Sequence, residues 1–217
     1  MLLLDQTSLS RSLHPLTSRQ RAAFAASCAQ RLAPCFLASP WVQHERPEDV
    51  GLAGQLLAEL WIAATGAPAE RIASLVGGVE RMPELTAYES PQGRSFWPAH
   101  ALVAIAYAGQ SWGESRPCSV LDCAQHAFDT ATILDGELDP DPPDPLEEII
   151  AFIDHGRPMS HPPDGPFQAR ELQRQQEDLA MISAAAPANW ESILTEMRHA
   201  SEVYAQHFLA ALARTRE

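Results

Sequence analysis

Proline and glycine punctuate this chain in the pattern that helices require. Pro47, Pro68, Pro117 and Pro145 each stand at the start of an apolar-periodic run, where a missing N–H costs nothing. Gly66 and Gly156 stand where two of those runs stop. Between the marks, Ala and Leu dominate and β-branched residues are sparse. The 217-residue chain therefore reads as an all-α, single-domain bundle of about eight helices.

The first helix has the clearest signature. In "LTSRQRAAFAASCAQRLAPCF", Thr17 and Gln20 make a capping-box pattern. Phe24, Cys28, Leu32 and Phe36 then recur every four residues on one face, until Pro34 kinks or ends the helix. "RPEDVGLAGQLLAELWIAATG" follows, with Glu48 and Asp49 at the positive end of its dipole. A third helix begins at Pro68, with Ile72, Leu75, Val76 and Val79 as its stripe. Residues 83–95 read as loop. "SFWPAHALVAIAYAGQSWG" is apolar nearly all round and reads as a central buried helix. The helix after Pro117 turns Leu121, Ala124, Phe128 and Ala131 inward. Asp144 caps a short helix that runs to Gly156, and two long helices at about 167–186 and 189–214 complete the chain, the last capped by Asn189. Residues 1–16 read as a loose N-terminal segment.

Charge excludes several function classes. The net charge is −13, and all fifteen basic residues are Arg. Without lysine there is no Walker A phosphate loop and no lysine Schiff base. The acidic balance also argues against nucleic acid as a partner. Residues 1–46 are mildly basic, and the rest is strongly acidic. The N-terminus lacks the pattern of a secretory signal, and no run is long enough to span a membrane. A cytoplasmic protein with reduced Cys28, Cys35, Cys118 and Cys123 is the expectation.

The candidate chemistry is thin. "GQSWG" at 109–113 matches the G-x-S-x-G nucleophile elbow, which needs a strand before the serine and a helix after it. The surrounding pattern is helical, so Ser111 reads as a helix end, and a serine hydrolase using Ser111 is the alternative. Asp122, His126 and Asp129 share a helix strip that suits a metal, a general base or a solvated face. Cys118, Cys123 and His126 are spaced too loosely for a zinc knuckle. Glu196 and His199 lack the second copy that a di-metal site requires. No cofactor or metal is expected, and no catalytic residue is assigned.

"DGELDPDPPDPLEEI" at 135–149 packs seven carboxylates and four prolines into one stretch. It fails as an EF-hand, because Pro140 falls on the glycine position and Leu146 on the final glutamate. The prolines make it a semi-rigid acidic ridge. Asp139, Asp141, Asp144, Glu147 and Glu148 are the candidate partner contacts, with Trp41 of "LASPWVQHE" as an exposed aromatic anchor.

The segments "RAAFAASCAQRLAPCF" and "GLAGQLLAELWIAATG" resemble a family of small all-helical bacterial proteins. They are similar as well to the helical immunity proteins of polymorphic and contact-dependent toxin systems. Arg31, Leu32, Pro34, Leu60 and Trp61 match as packing positions, and the likeness lies mainly in residues 20–66. It implies a monomer or homodimer that binds a cognate protein toxin, a cytoplasm-acting nuclease, and occludes its active site. A non-catalytic helical adaptor with some other partner is a further alternative.

Overall fold

The computed structural model of the chain describes residues 5–87, 91–113, 117–139 and 165–215. These form eleven α-helices, and there is no strand among the described residues. The order is α1 (Gln6–Leu13), α2 (Ser18–Leu32), α3 (Pro34–Leu37), α4 (Pro40–Glu45), α5 (Pro47–Thr65), α6 (Ile72–Val79), α7 (Pro83–Thr86), α8 (Phe96–Gln110), α9 (Cys118–Leu138), α10 (Pro166–Ala184) and α11 (Trp190–Arg214). Eight of them run seven residues or more, as an all-α bundle of about eight helices requires; seven of these were expected and α1 was not. The helix expected at 144–156, with its Asp144 cap, lies outside the described residues.

Helix α2 is the axis of the molecule. The Thr17–Gln20 capping box fixes its start: the Thr17 amide donates to Gln20 Oε1 at 2.9 Å, and the Gln20 amide donates to Thr17 Oγ1 at 3.4 Å. Helices α5, α8, α9, α10 and α11 all pack on it. Residues 21–29 are buried without a break, so the helix has no solvent face there. Alanine makes this possible. Ala22, Ala23, Ala25, Ala26 and Ala29 let neighbours approach from every side, while Phe24, Leu32 and Phe36 fill the larger gaps. The expected face of Phe24, Cys28, Leu32 and Phe36 is buried in full, but it is a quarter of the story. Helix α8 is largely buried, as its composition predicts, with His100, Val103 and Tyr107 along a half-open side.

Punctuation is read correctly at most joints. Helix α2 stops at Leu32, just ahead of Pro34, and α5 begins at Pro47 and stops before Gly66. Three local expectations fail. Pro68 does not open a helix: α6 starts at Ile72, after a turn. Residues 83–95 contain the short helix α7 and a 3-10 turn at Gly93–Ser95. Asn189 precedes α11 but accepts the Ala186 amide at 2.8 Å in a 3-10 turn, instead of capping the helix. The N-terminal segment is also more ordered than its sequence suggests. Asp5 caps α1 by accepting the amides of Thr7 and Ser8, and Leu9 and Leu13 are buried. No helix among the described residues is long and apolar enough to cross a membrane.

Candidate functional site

The acidic stretch begins with a structural task. Asp135, near the end of α9, is buried, and its carboxylate accepts the amides of Phe167 at 3.0 Å and Gln168 at 2.7 Å. Those are the second and third residues of α10, so Asp135 caps that helix from another helix. Gly165 is required at this junction, because a Cβ there would sit 2.0 Å from Asp135 Cγ. Burial pushes the Asp135 carboxyl up from its usual range, and the two amide bonds oppose that push.

The rest of α9 presents carboxylates outward. Asp122, Asp129 and Glu137 are exposed, and the 21-residue helix carries no arginine. Asp129 accepts Gln125 Nε2 at 2.7 Å, and burial raises its carboxyl pKa. Glu137 lies in the last turn, at the negative end of the helix dipole. Asp139, the C-cap, is half-buried. Asp141, Asp144, Glu147 and Glu148 lie outside the described residues.

On the inner side of α9, His126 stacks on His100 of α8, with ring centroids 5.0 Å apart and planes inclined by 14°. His126 Nε2 donates to the His100 carbonyl at 3.0 Å. Burial, and then the neighbouring His126, hold His100 down at about 4. His126 is lowered by burial. The proposed Asp122–His126–Asp129 strip is therefore split: the acids face water and the imidazole faces α8. Cys123 donates to the Ala104 carbonyl at 3.4 Å from inside the core, while Cys118 is exposed. Among the described residues no group of three or more His, Cys, Asp or Glu is placed to hold a metal ion.

Trp41 is not an exposed anchor. It is half-buried on α4, with the Arg46 and Arg94 guanidinium carbons 5.2 and 4.7 Å from its ring centre. Arg46 ties the start of α5 to α7 through a two-pronged ion pair with Glu84 and a 3.3 Å contact to Asp49. A cavity of about 500 Å³ opens here, lined by Trp41, Arg46, Pro83, Glu84, Pro91 and Ser95 among others.

Ser111 follows helix α8, not a strand. It is buried, and its hydroxyl donates to the Ala108 carbonyl at 2.6 Å. Both glycines of "GQSWG" have conformational reasons. A Cβ on Gly109 would meet Val76 Cγ2 at 2.6 Å, and Gly113 has φ of 86°. The motif is thus a tightly packed helix end.

Sequence reasoning missed the most demanding site in the molecule. Arg31 is completely buried in α2, and all five of its N–H donors are used. Nε and one terminal nitrogen donate to the two oxygens of Glu171 at 2.7 and 2.6 Å. The other reaches Asp178 at 2.9 Å and Ser27 at 2.8 Å, and Cys28 Sγ lies at 3.3 Å. Burial alone would lower the guanidinium pKa; Glu171, Cys28 and Asp178 outweigh it and hold the pKa well above its ordinary value. Gln175 donates to Glu171 at 2.9 Å, and Arg174 donates to the second oxygen of Asp178 at 2.6 Å. Two guanidinium groups thus balance two buried carboxylates where α2, α10 and α11 meet. A signal existed in α10: Phe167, Glu171, Gln175, Asp178 and Ile182 share one helical face, apolar at both ends and polar in the middle. A cation on a facing helix is what such a face demands.

No family model matches the chain, and no curated protein matches it. A crystal structure of a DUF416 family protein from Shewanella baltica OS155 is similar in fold. Its TM-score is 0.54 at 16% identity, covering 88% of this chain and 93% of that one. At that identity the likeness concerns the arrangement of helices alone.

Proposed function

We propose that this chain acts by binding a basic protein partner through the outer side of α9. In its specific form, the partner is a toxin domain, a nuclease, whose active site it occludes. The observation that carries the binding reading is the one-sided charge of α9. Three exposed carboxylates face out from a helix without a single arginine. Glu137 even sits where the helix dipole disfavours an anion, by about 0.3–1 kcal/mol. An acidic face draws in a basic partner and rejects acidic ones. The toxin-neutralising form rests on the resemblance of residues 20–66 to immunity proteins.

The internal polar groups support binding over chemistry. Arg31 spends its hydrogen bonds on Glu171, Asp178, Ser27 and Cys28, and Ser111 is tied to a backbone carbonyl. The test is co-expression with a nuclease toxin domain, sought first in the gene next to this one. The wild-type chain should restore growth, and Asp122→Arg/Asp129→Arg/Glu137→Arg should abolish protection while remaining folded. Protection by the reversed variant equal to wild type would remove α9 from the account. Fluorophosphonate labelling that disappears in Ser111→Ala would favour the hydrolase alternative.

A further inference from the structure

We infer that the cavity beside Trp41 is a binding site for a small organic carboxylate with a flat apolar body. The site is separate from the acidic strip of α9 and does not depend on it.

The cavity's volume of about 500 Å³ lies within the range of small-molecule sites. Its walls combine an indole, Pro83, Ala87 and Pro91 with a few polar groups, the usual make-up of such sites. Two of the wall residues carry buried donors without an acceptor. Trp41 Nε1 and Arg46 Nε each lack a hydrogen-bond partner among the described residues and are shut off from solvent. Buried N–H groups in native proteins are nearly always paired, and an unpaired one costs about 1–3 kcal/mol. Two such donors on residues of one cavity mark a place where acceptor oxygens belong.

The charges around the cavity select the acceptor. Glu84 gives both oxygens to Arg46, so it offers little to an incoming cation. Arg94 stands over the Trp41 ring, and its side chain is 70% exposed. Its contact with Glu45 is long, at 3.9 Å. Arg94 does not line the cavity but stands beside it on the Trp41 ring, so it is the group that can swing aside, admit a flat ring against the indole, and exchange Glu45 for the ligand's carboxylate. That exchange opens the way to the sealed Trp41 and Arg46 donors. A neutral amide satisfies the donors but gains nothing from Arg94. An amine is repelled by both guanidinium groups.

The test is calorimetric titration of the full chain with 2-naphthoate, 2-naphthamide and 2-naphthylmethylamine. Naphthoate should bind one to one and saturate below about 1 mM, the amide should bind about tenfold more weakly, and the amine should not bind. Trp41→Phe keeps a ring and deletes the N–H donor. Arg94→Gln keeps length and removes the charge on an exposed side chain. Each should weaken naphthoate by about fivefold or more with an unchanged circular dichroism spectrum. The inference is overturned if naphthoate fails to saturate by about 10 mM. It is overturned as well if the amide or amine binds equally, or if folded Arg94→Gln or folded Trp41→Phe binds like wild type.

Discussion

Replacing Arg31 by Met should unfold much of this protein's stability margin, and the structure says how much. Arg31 is completely buried and donates to Glu171, Asp178 and Ser27, with Cys28 Sγ a weaker fourth partner. Met fills most of the volume, so packing is nearly conserved, and what changes is charge. Asp178 keeps Arg174 at 2.6 Å and Ser27 at 2.6 Å. Glu171 is left with Gln175 as its remaining hydrogen-bond donor among the described residues. Breaking a buried pair from one side costs about 3–5 kcal/mol. That is a large share of the roughly 5–15 kcal/mol that folded domains possess. Urea unfolding at 25 °C, followed by circular dichroism and tryptophan fluorescence, reads the loss. Adding Glu171→Gln to Arg31→Met removes the stranded charge and should restore about 1–3 kcal/mol. A loss under about 1 kcal/mol, or a double variant less stable than the single, would refute the idea that this charge is held by its partners.

Other predictions are smaller. Asp135→Ala removes the cap that joins α9 to α10 and should cost about 1–2 kcal/mol by the same urea assay. Gly165→Ala should destabilise through the same junction, because its Cβ overlaps Asp135. His100 is held at about 4, well below its usual 6.5, so the unfolded chain binds the proton more readily. The stability that this supplies is complete above pH 6.5 and is lost as pH falls towards 4. The full difference would be about 3 kcal/mol, and solvent screening of the partly open ring reduces it to roughly 1–2 kcal/mol. His100→Gln should flatten the pH dependence of stability in that window. Ser111→Ala removes a hydroxyl that bonds its own helix, so it should change stability by less than about 1 kcal/mol and should leave the fold intact.

The helices were legible because their ends are written in local chemistry. The Thr17–Gln20 box, the Pro47 start and the Gly66 stop each act within one turn, and each appears as read. Pro68 misled because a proline permits a helix start without compelling one; the chain turns first and enters α6 at Ile72. What the sequence could not display is pairing between distant helices. Arg31 and Glu171 are 140 positions apart, and Asp135 and Gln168 are 33 apart. Neither pairing can be read from one segment without the other. Trp41 was misjudged partly for the same reason: Arg94 comes from the turn before α8, while Arg46 stands at the C-cap of its own helix. The acids of α9 were visible in the sequence, but Asp135, near the end of the helix, is occupied with architecture, and Asp122, Asp129 and Glu137 are the ones left facing outward.

The central claim is that the acidic side of α9 captures a basic partner. Its most direct measurement is the association rate with a basic toxin domain of the proposed kind, by surface-based kinetics across a salt series. Wild type should associate fast at low salt and slow steeply as salt rises. The Asp122→Arg/Asp129→Arg/Glu137→Arg variant should associate at least about tenfold more slowly at low salt, with a flattened salt dependence. Equal rates for the two proteins at every salt concentration would contradict the account.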